Sequence, residues 1–167
     1  RCETGQGHWP TAVGGVGGGG HHPGHVGAAG REVVGLTQHS DDQGAIVVDL
    51  LNLEALSGII SSVRPAIIVH LAGVATTAHD TPENIYMANV VGTANLFEAI
   101  SAAKLDLRSM IVASSAKVYA TPDPPAPITE HCPLDPRSHY SVSKRTVEDI
   151  ARLSASRFPV ILTRPFN

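Results

Sequence analysis

Two residues of types used in proton transfer stand four positions apart near the carboxyl end of the sequence. On a helix, Tyr140 and Lys144 would lie on the same face, about one turn apart. An ammonium close to a phenol stabilises the phenolate, which can then accept a proton from a substrate alcohol. An exposed helix pair without a chemical role has the same spacing, so the surrounding residues must decide between the two interpretations.

Further candidate residues stand where short apolar runs end. Ser114 and Ser115 follow such a run, where a hydroxyl could bond an oxygen undergoing oxidation or reduction, or cap a turn. Asp49 follows another run and could accept a hydrogen bond from an adenine amine, or serve as an ordinary turn aspartate. Residues 71–73 (LAG) end a third run, and small side chains there either admit a cofactor ribose or permit tight packing.

The elements that must position these residues alternate along the chain from about residue 31 onward. Apolar runs predict strands over residues 32–36, 45–48, 66–73, 109–114 and 159–163, and helical patterns cover 51–63, 82–103 and 139–157. Near-continuous apolar strands are typical of strands covered on both faces, and their alternation with helices predicts βαβ units. We therefore predict an α/β fold, a doubly wound parallel sheet of the Rossmann-like kind.

A proline-rich stretch separates the fourth predicted strand from the third predicted helix. Residues 121–138 carry six prolines and show no helical period. They predict a long, stiff loop beside the carboxyl edge of the sheet, where such folds bind ligands.

Composition excludes several function classes. The sequence has 12 Lys+Arg against 15 Asp+Glu, which leaves no basic field for nucleic acid. No stretch approaches the ~18 apolar residues of a membrane span. Cys2 and Cys132 have no CxxC spacing, and the histidines of residues 21–25 (HHPGH) have no carboxylate or thiol beside them, so we predict no metal site. A reducing cytoplasm is the expected location.

Five motifs follow one another in a characteristic order. They are VVDL (47–50), VHLAG (69–73), NVVGT (89–93), SSAKVY (114–119) and YSVSK (140–144). PITEHCPLDP (127–136) and the final RPFN (164–167) accompany them. As a set, over about residues 30–167, they resemble the extended short-chain dehydrogenase/reductase family. More narrowly, they resemble its NAD-dependent epimerase/dehydratase branch, which modifies sugar nucleotides.

The resemblance implies NAD or NADP as cofactor and a nucleotide sugar as substrate. Tyr140 would be the general base or acid, Lys144 would bind the nicotinamide ribose and stabilise the phenolate, and Ser115 would hydrogen-bond the reacting sugar oxygen. The remaining contacts would come from Asp49 and Leu50 at the adenine, Leu71, Ala72, Gly73 and Ala75 along the cofactor, Asn89 beside it, Pro165 and Phe166 at the nicotinamide, and Asn167 near the substrate pyrophosphate.

The resemblance also narrows the reaction. Ala116 and Lys117 stand where dehydratases of this branch carry an acid pair, which favours a 4-epimerase or keto-reductase over a dehydratase. A noncatalytic nucleotide-sensing domain with the same fold is the alternative from another class. NAD and NADP stay open, because residues 36–40 (LTQHS) hold neither an acidic residue for the ribose nor an arginine for a 2′-phosphate.

The amino-terminal segment departs from the family pattern. The family begins with a buried apolar strand and a TGxxGxxG loop that admits a pyrophosphate to a helix N-terminus, whereas residues 1–10 hold no apolar run. Gly14, Gly17 and Gly20 fit GxxGxxG spacing, but a segment so rich in glycine would fit almost any glycine motif. We therefore predict a degenerate first strand and glycine loop, and no first helix.

These departures divide the chain into an irregular, weakly paired segment (1–30) and a partial dinucleotide-binding domain with the catalytic helix (31–167). One hypothesis is that about Gln6 to Gly30 is an out-of-frame reading of a GC-rich gene, and a natural glycine-rich leader is the alternative. The family's substrate lobe draws mainly on chain beyond Asn167. We therefore expect that lobe to be absent and this fragment to bind dinucleotide poorly and to be inactive. A homodimer is one assembly that the full-length form could take.

Overall fold

A single parallel sheet organises the molecule. The computed structural model describes residues 11–14, 33–38, 45–74, 81–122 and 124–166. Within these residues six strands are present: β1 (Thr11–Gly14), β2 (Val33–Thr37), β3 (Ile46–Val47), β4 (Ile67–His70), β5 (Ser109–Ala113) and β6 (Val160–Thr163). They are all parallel, in the order β3-β2-β1-β4-β5-β6. This is the order of a doubly wound sheet, so the predicted fold is confirmed.

The strand order reverses between β1 and β4. The chain moves outward from β1 through β2 to β3, and from β4 it moves outward in the other direction through β5 to β6. Gly14 at the end of β1 lies opposite His70 at the end of β4. Open α/β sheets bind ligands in the crevice at this reversal, outside the carboxyl ends of the strands.

The central strand corrects the prediction for the amino-terminal segment. Irregular, weakly paired structure over residues 1–30 is wrong for Thr11–Gly14, which pair with β2 on one side and β4 on the other. The first strand is therefore short but regular rather than degenerate. The sequence did not predict this strand because the run TAV, between a proline and the glycines, is too short to show an apolar pattern. Pairing with a strand on each side determines its extended conformation. Gly17, Gly20 and the predicted absence of a first helix lie outside the described residues.

The helices begin at side-chain caps. The caps are Asn52 before α1 (Leu53–Val63), Thr81 before α2 (Pro82–Tyr86) and Ser138 before α4 (His139–Ser154). Each cap oxygen accepts a hydrogen bond from a main-chain N–H of the first turn, a donor that the helix itself leaves free. A π-helical turn (Met87–Val91) joins α2 directly to α3 (Gly92–Ala102). The helix predicted over residues 82–103 is thus present almost to its predicted end, but one turn within it is π-helical rather than α-helical.

An apolar core holds the helices on the sheet. Its fully buried members include Leu56 and Ile60 of α1, Leu96 and Ile100 of α3, Val147 and Ala151 of α4, and Ile68, Met110 and Val112 of the strands. These helix residues recur at intervals of three and four, so each helix buries one stripe against the sheet. Among the described helices, none is both long and apolar enough to cross a bilayer.

Candidate active site

Lys144 is buried rather than exposed on α4. Only 5% of its surface is accessible, and its Nζ donates a hydrogen bond to the carbonyl of Ala113, at the end of β5, over 3.1 Å. Burial lowers the pKa of Lys144 to about 8, because the ammonium has lost most of its hydration. The alternative interpretation, an exposed pair of side chains on the helix, predicts a solvated ammonium. Lys144 is instead buried at the carboxyl edge of the sheet, so that interpretation is wrong for Lys144.

Asn89 ties the end of β4 to α4. It lies in the π-helical turn with 1% of its surface exposed, and its Oδ1 accepts a hydrogen bond from the Val74 N–H at 2.7 Å. Its Nδ2 donates to the carbonyl of Val74 at 3.3 Å and to Ser143 Oγ at 2.9 Å. Ser143 Oγ in turn donates to the carbonyl of Tyr140 at 2.8 Å. The first turn of α4 is therefore fixed against the loop that follows β4.

Gly73 leaves the space in which these side chains meet. A Cβ at this position would lie 2.8 Å from Lys144 Nζ and 2.9 Å from Asn89 Oδ1, closer than real Cβ contacts. Glycine is therefore required here because the backbone and two polar side chains approach closely. The structure shows tight packing of the Gly73 backbone against two polar side chains, and the approach of a cofactor ribose to residues 71–73 stays a prediction.

Tyr140 and the segment after β5 lie side by side. Tyr140 is half-buried, and the ammonium of Lys117 lies 5.7 Å from the centroid of its ring. Ser115, 9% exposed, caps a short 3-10 turn (Ala116–Val118), and its Oγ accepts a hydrogen bond from the Lys117 N–H at 3.2 Å. The capping role expected of a strand-end serine is thus present, and the hydroxyl proton of Ser115 is left to donate elsewhere.

The two residues assigned to adenine and two of those assigned along the cofactor line one small pocket. Asp49, Leu50, Ala72 and Gly73 border it, together with Gln38 at the end of β2. Asp49 Oδ1 accepts the Leu51 N–H at 2.9 Å, so the aspartate also shapes its own turn. Leu71 lies outside this lining and is 42% exposed. Two further predicted residues, Ala75 and Asn167, are not among those described.

A larger cleft opens beyond β5 and β6. It has a volume of about 450 Å³ and is bordered by Ser115, Lys117, Pro165 and Phe166, with part of the proline-rich loop as its outer wall. The Ala116 N–H donates to the carbonyl of Pro165 at 3.0 Å, which joins the segments after β5 and β6. The described part of the loop contains no helix and lies beside the sheet's carboxyl edge, as predicted.

A buried histidine beneath the site was not recognised from the sequence. His70 Nε2 lies 2.8 Å from Thr93 Oγ1, and the Thr93 hydroxyl donates to the carbonyl of Asn89. Because that hydroxyl proton is used, the histidine must carry its proton on Nε2. Burial, assisted by the charge of Lys144, lowers the pKa of His70 to about 3, so the ring is neutral. Polar residues four apart in an apolar helix, Asn89 and Thr93, are the signal that could have revealed this network.

The titration of Lys144 predicts a pH-dependent stability difference. The folded pKa of about 8 lies below the ordinary value of 10.5, so between these values the unfolded chain binds more protons at Lys144 and the free energy of unfolding rises with pH. We expect wild-type protein to gain stability relative to Lys144→Met between pH 8 and 10, measured by chemical denaturation. A stability difference between wild type and Lys144→Met that stays constant over this pH range would contradict the burial argument.

Together, the fold and the site form a ligand-binding crevice of the kind found in doubly wound α/β domains. The crevice lies at the reversal of the strand order, a small pocket borders the ends of β2, β3 and β4, and a glycine admits close approach beside a buried ammonium. These features fit a dinucleotide. The chain belongs to the NAD dependent epimerase/dehydratase family, whose model matches residues 15–167.

Comparisons with individual proteins agree with the family. A UDP-glucose 4-epimerase from Oryza sativa subsp. japonica is 35% identical over 143 residues, 82% of this chain and 34% of that protein. A GDP-6-deoxy-D-talose 4-dehydrogenase from Aggregatibacter actinomycetemcomitans is 28% identical over 72% of this chain and 40% of that protein. A short-chain dehydrogenase/reductase superfamily protein from Agrobacterium tumefaciens, with bound NAD, has a TM-score of 0.74 at 28% identity, covering 92% of this chain and 48% of that one. The chain therefore spans about a third to a half of the length of these proteins.

Proposed function

We propose that this chain carries the cofactor-binding and proton-transfer parts of an NAD-dependent nucleotide-sugar 4-epimerase or keto-reductase. The observation that carries the proposal is the buried ammonium of Lys144, fixed one turn after Tyr140 and beside Gly73 and Asn89. Two relatives are named for reactions at position 4 of a nucleotide-linked sugar. Because the chain spans only part of those proteins, their reaction is an inference for this chain.

The residues around the crevice would hold NAD in an extended form. Gly14 ends the central strand and is the first glycine of the GxxGxxG spacing. This spacing therefore begins at the end of the first strand, where the family has its phosphate-binding loop. Asp49 and Leu50 would border the adenine, and residues 71–75 would run along the cofactor. NAD is the cofactor in the family's name and is bound in the Agrobacterium relative. Gln38, which borders the adenine pocket, adds no positive charge for a 2′-phosphate.

Proton transfer would fall to Tyr140. Bound NAD supplies the acceptor and donor of a hydride. Tyr140 would remove the proton from the sugar hydroxyl at the reacting carbon and later return it to the oxygen. The ammonium of Lys144 would stabilise the phenolate and bind the ribose hydroxyls, and Ser115 would donate its free hydroxyl proton to the reacting oxygen.

The residues after Ser115 favour epimerisation or reduction over dehydration. Water elimination needs a separate acid and base close to the sugar. Ala116 has no ionisable group, and Lys117, which borders the cleft, carries an amine in place of a carboxyl group. A 4-epimerase or keto-reductase is therefore favoured over a dehydratase.

A cofactor titration followed by a turnover assay tests the proposal. We expect the 167-residue chain to bind NAD saturably in a calorimetric titration, but more weakly than an intact relative does, as the degenerate glycine loop predicts. A full-length form should interconvert UDP-glucose and UDP-galactose or reduce a 4-keto nucleotide sugar. Absence of NAD binding would refute the proposal. Binding without turnover of either substrate class would instead favour the nucleotide-sensing alternative.

A further inference from the structure

A buried carboxylate lies on the same face of α4 as the two candidate catalytic residues. Glu148 follows Lys144 by four positions and Tyr140 by eight, so the three share one helix face. None of the Glu148 side chain is exposed. Burial raises the pKa of Glu148, but hydrogen bonds, that from Arg164 foremost, outweigh this effect and lower it to about 2. A permanently charged group is therefore held inside the protein.

Arg164 neutralises this charge from the end of β6. Its Nε donates to Glu148 Oε1 and its Nη2 to Glu148 Oε2, both at 2.7 Å, which is a two-bond fork of fixed geometry. Arg152 adds a third hydrogen bond to Oε2 at 2.8 Å. Lys144 ties α4 to β5, and Glu148, one turn later, ties it to β6. These two attachments fix both the rotation of α4 and its position along its axis.

The same guanidinium reaches the wall of the cleft. Arg164 Nη1 donates to the Tyr119 hydroxyl at 2.9 Å, and its Cζ lies 4.7 Å from the centroid of the Tyr119 ring. The Tyr119 ring stacks on Phe166, with centroids 6.3 Å apart and planes at 17°. Tyr119 and Phe166 both border the cleft that contains Ser115. One continuous set of contacts thus runs from the interior of α4 to an aromatic side of the cleft.

We propose that Glu148 and Arg164 are positioning residues that set the aromatic side of the cleft, Tyr119 and Phe166, relative to Tyr140 on α4. The inference deepens the proposed function and rests on it, because Phe166 belongs to the segment expected to flank the nicotinamide. Stability alone does not explain the pair: replacing a buried ion pair by apolar side chains of similar volume is often neutral or stabilising. A bidentate pair fixes direction and distance, which an apolar contact does not.

The double variant Glu148→Met/Arg164→Met distinguishes an effect on the position of the Phe166 ring from an effect on the stability of the protein. The two methionines keep the volume apolar, so we expect a thermal midpoint close to that of the wild type. With 4-fluorophenylalanine at position 166, we expect its ¹⁹F resonance to move toward that of a solvent-exposed ring and to sharpen. We also expect the NAD dissociation constant to rise about tenfold, because Phe166 would no longer be held where it flanks the nicotinamide.

Asp149→Asn is the matched control, because Asp149 pairs with Arg145 and Arg152 but makes no bond to Arg164. It should leave the ¹⁹F resonance and the dissociation constant unchanged. If the double variant does not fold, Arg164→Lys keeps the charge but loses the fork, and it should shift the same resonance. A folded variant with unchanged resonance and unchanged NAD affinity would overturn the proposal. If wild-type chain binds no NAD, the proposed function fails while the ¹⁹F readout still decides this inference.

Discussion

In a full-length form of the protein, Tyr140→Phe is expected to lower turnover of a nucleotide sugar by ~10²- to 10⁴-fold, the usual contribution of general acid–base catalysis. The change removes the hydroxyl that would exchange the proton but keeps the ring, which is half-buried and lies beside the ammonium of Lys117. Substrate and NAD affinities should change little, because the ring contacts remain. The measurement is the turnover number of each variant with the same substrate at saturating NAD.

Two further variants serve as controls for this result. Tyr86→Phe removes a hydroxyl from another half-buried tyrosine, one that contacts His139 at 3.2 Å, and it should retain nearly full turnover. Ser115→Ala should reduce turnover less than Tyr140→Phe, since it removes one hydrogen bond to the reacting oxygen and leaves the base intact. Near wild-type turnover in Tyr140→Phe would refute the assignment and favour a nucleotide-sensing domain.

Gly73→Ala is expected to weaken NAD binding by about tenfold or more. The new methyl group would approach Lys144 Nζ and Asn89 Oδ1 at 2.8 and 2.9 Å. The lysine end can move, but Asn89 is held by three hydrogen bonds. Displacing the ammonium removes a charged donor from the cofactor site, and hydrogen bonds to charged groups contribute about 1.5–3 kcal/mol. Calorimetric titration with NAD measures the change.

Gly58→Ala provides the opposite case. Gly58 lies inside α1, and a Cβ there would meet nothing within 4 Å. Alanine should therefore stabilise the protein by up to about 1 kcal/mol through helix propensity alone, without altering NAD affinity. If Gly73→Ala binds NAD as tightly as Gly58→Ala does, the close approach at Gly73 has no role in cofactor binding.

Much of the sheet was readable from the sequence because its strands are apolar on both faces. The runs predicted over residues 32–36, 109–114 and 159–163 agree with the limits of β2, β5 and β6 to within one residue. The helix caps at Thr81 and Ser138 act locally, through side chains that bond the adjacent backbone, so the helix starts at residues 82 and 139 were also predictable. Local chemistry determined these features.

Features that depend on partners far away in the sequence could not be predicted from the sequence. The strand Thr11–Gly14 gains its conformation from two neighbouring strands, and its four residues carry no period of their own. The pair of Glu148 with Arg164 joins residues 16 positions apart, and the sequence shows only two ordinary charges. The hypothesis of an out-of-frame reading over Gln6 to Gly30 stays a prediction for resequencing. The regular strand within that range removes one of its premises.

The π-helical turn has a consequence for comparing and redesigning sequences of this kind. Gly92 N–H bonds the carbonyl of Met87, five residues back, so this turn holds one residue more than an α-helical turn. Successive residues of an α-helix are about 100° apart around its axis. The wide turn takes up this extra residue with little change in the direction of the residues that follow it. Deleting one residue within positions 87–91 would therefore leave a longer regular helix in which Ile85, buried before the turn, and Leu96, buried after it, both still face the core. An alignment gap placed in this turn thus marks the loss of the extra residue rather than a change of helix phase.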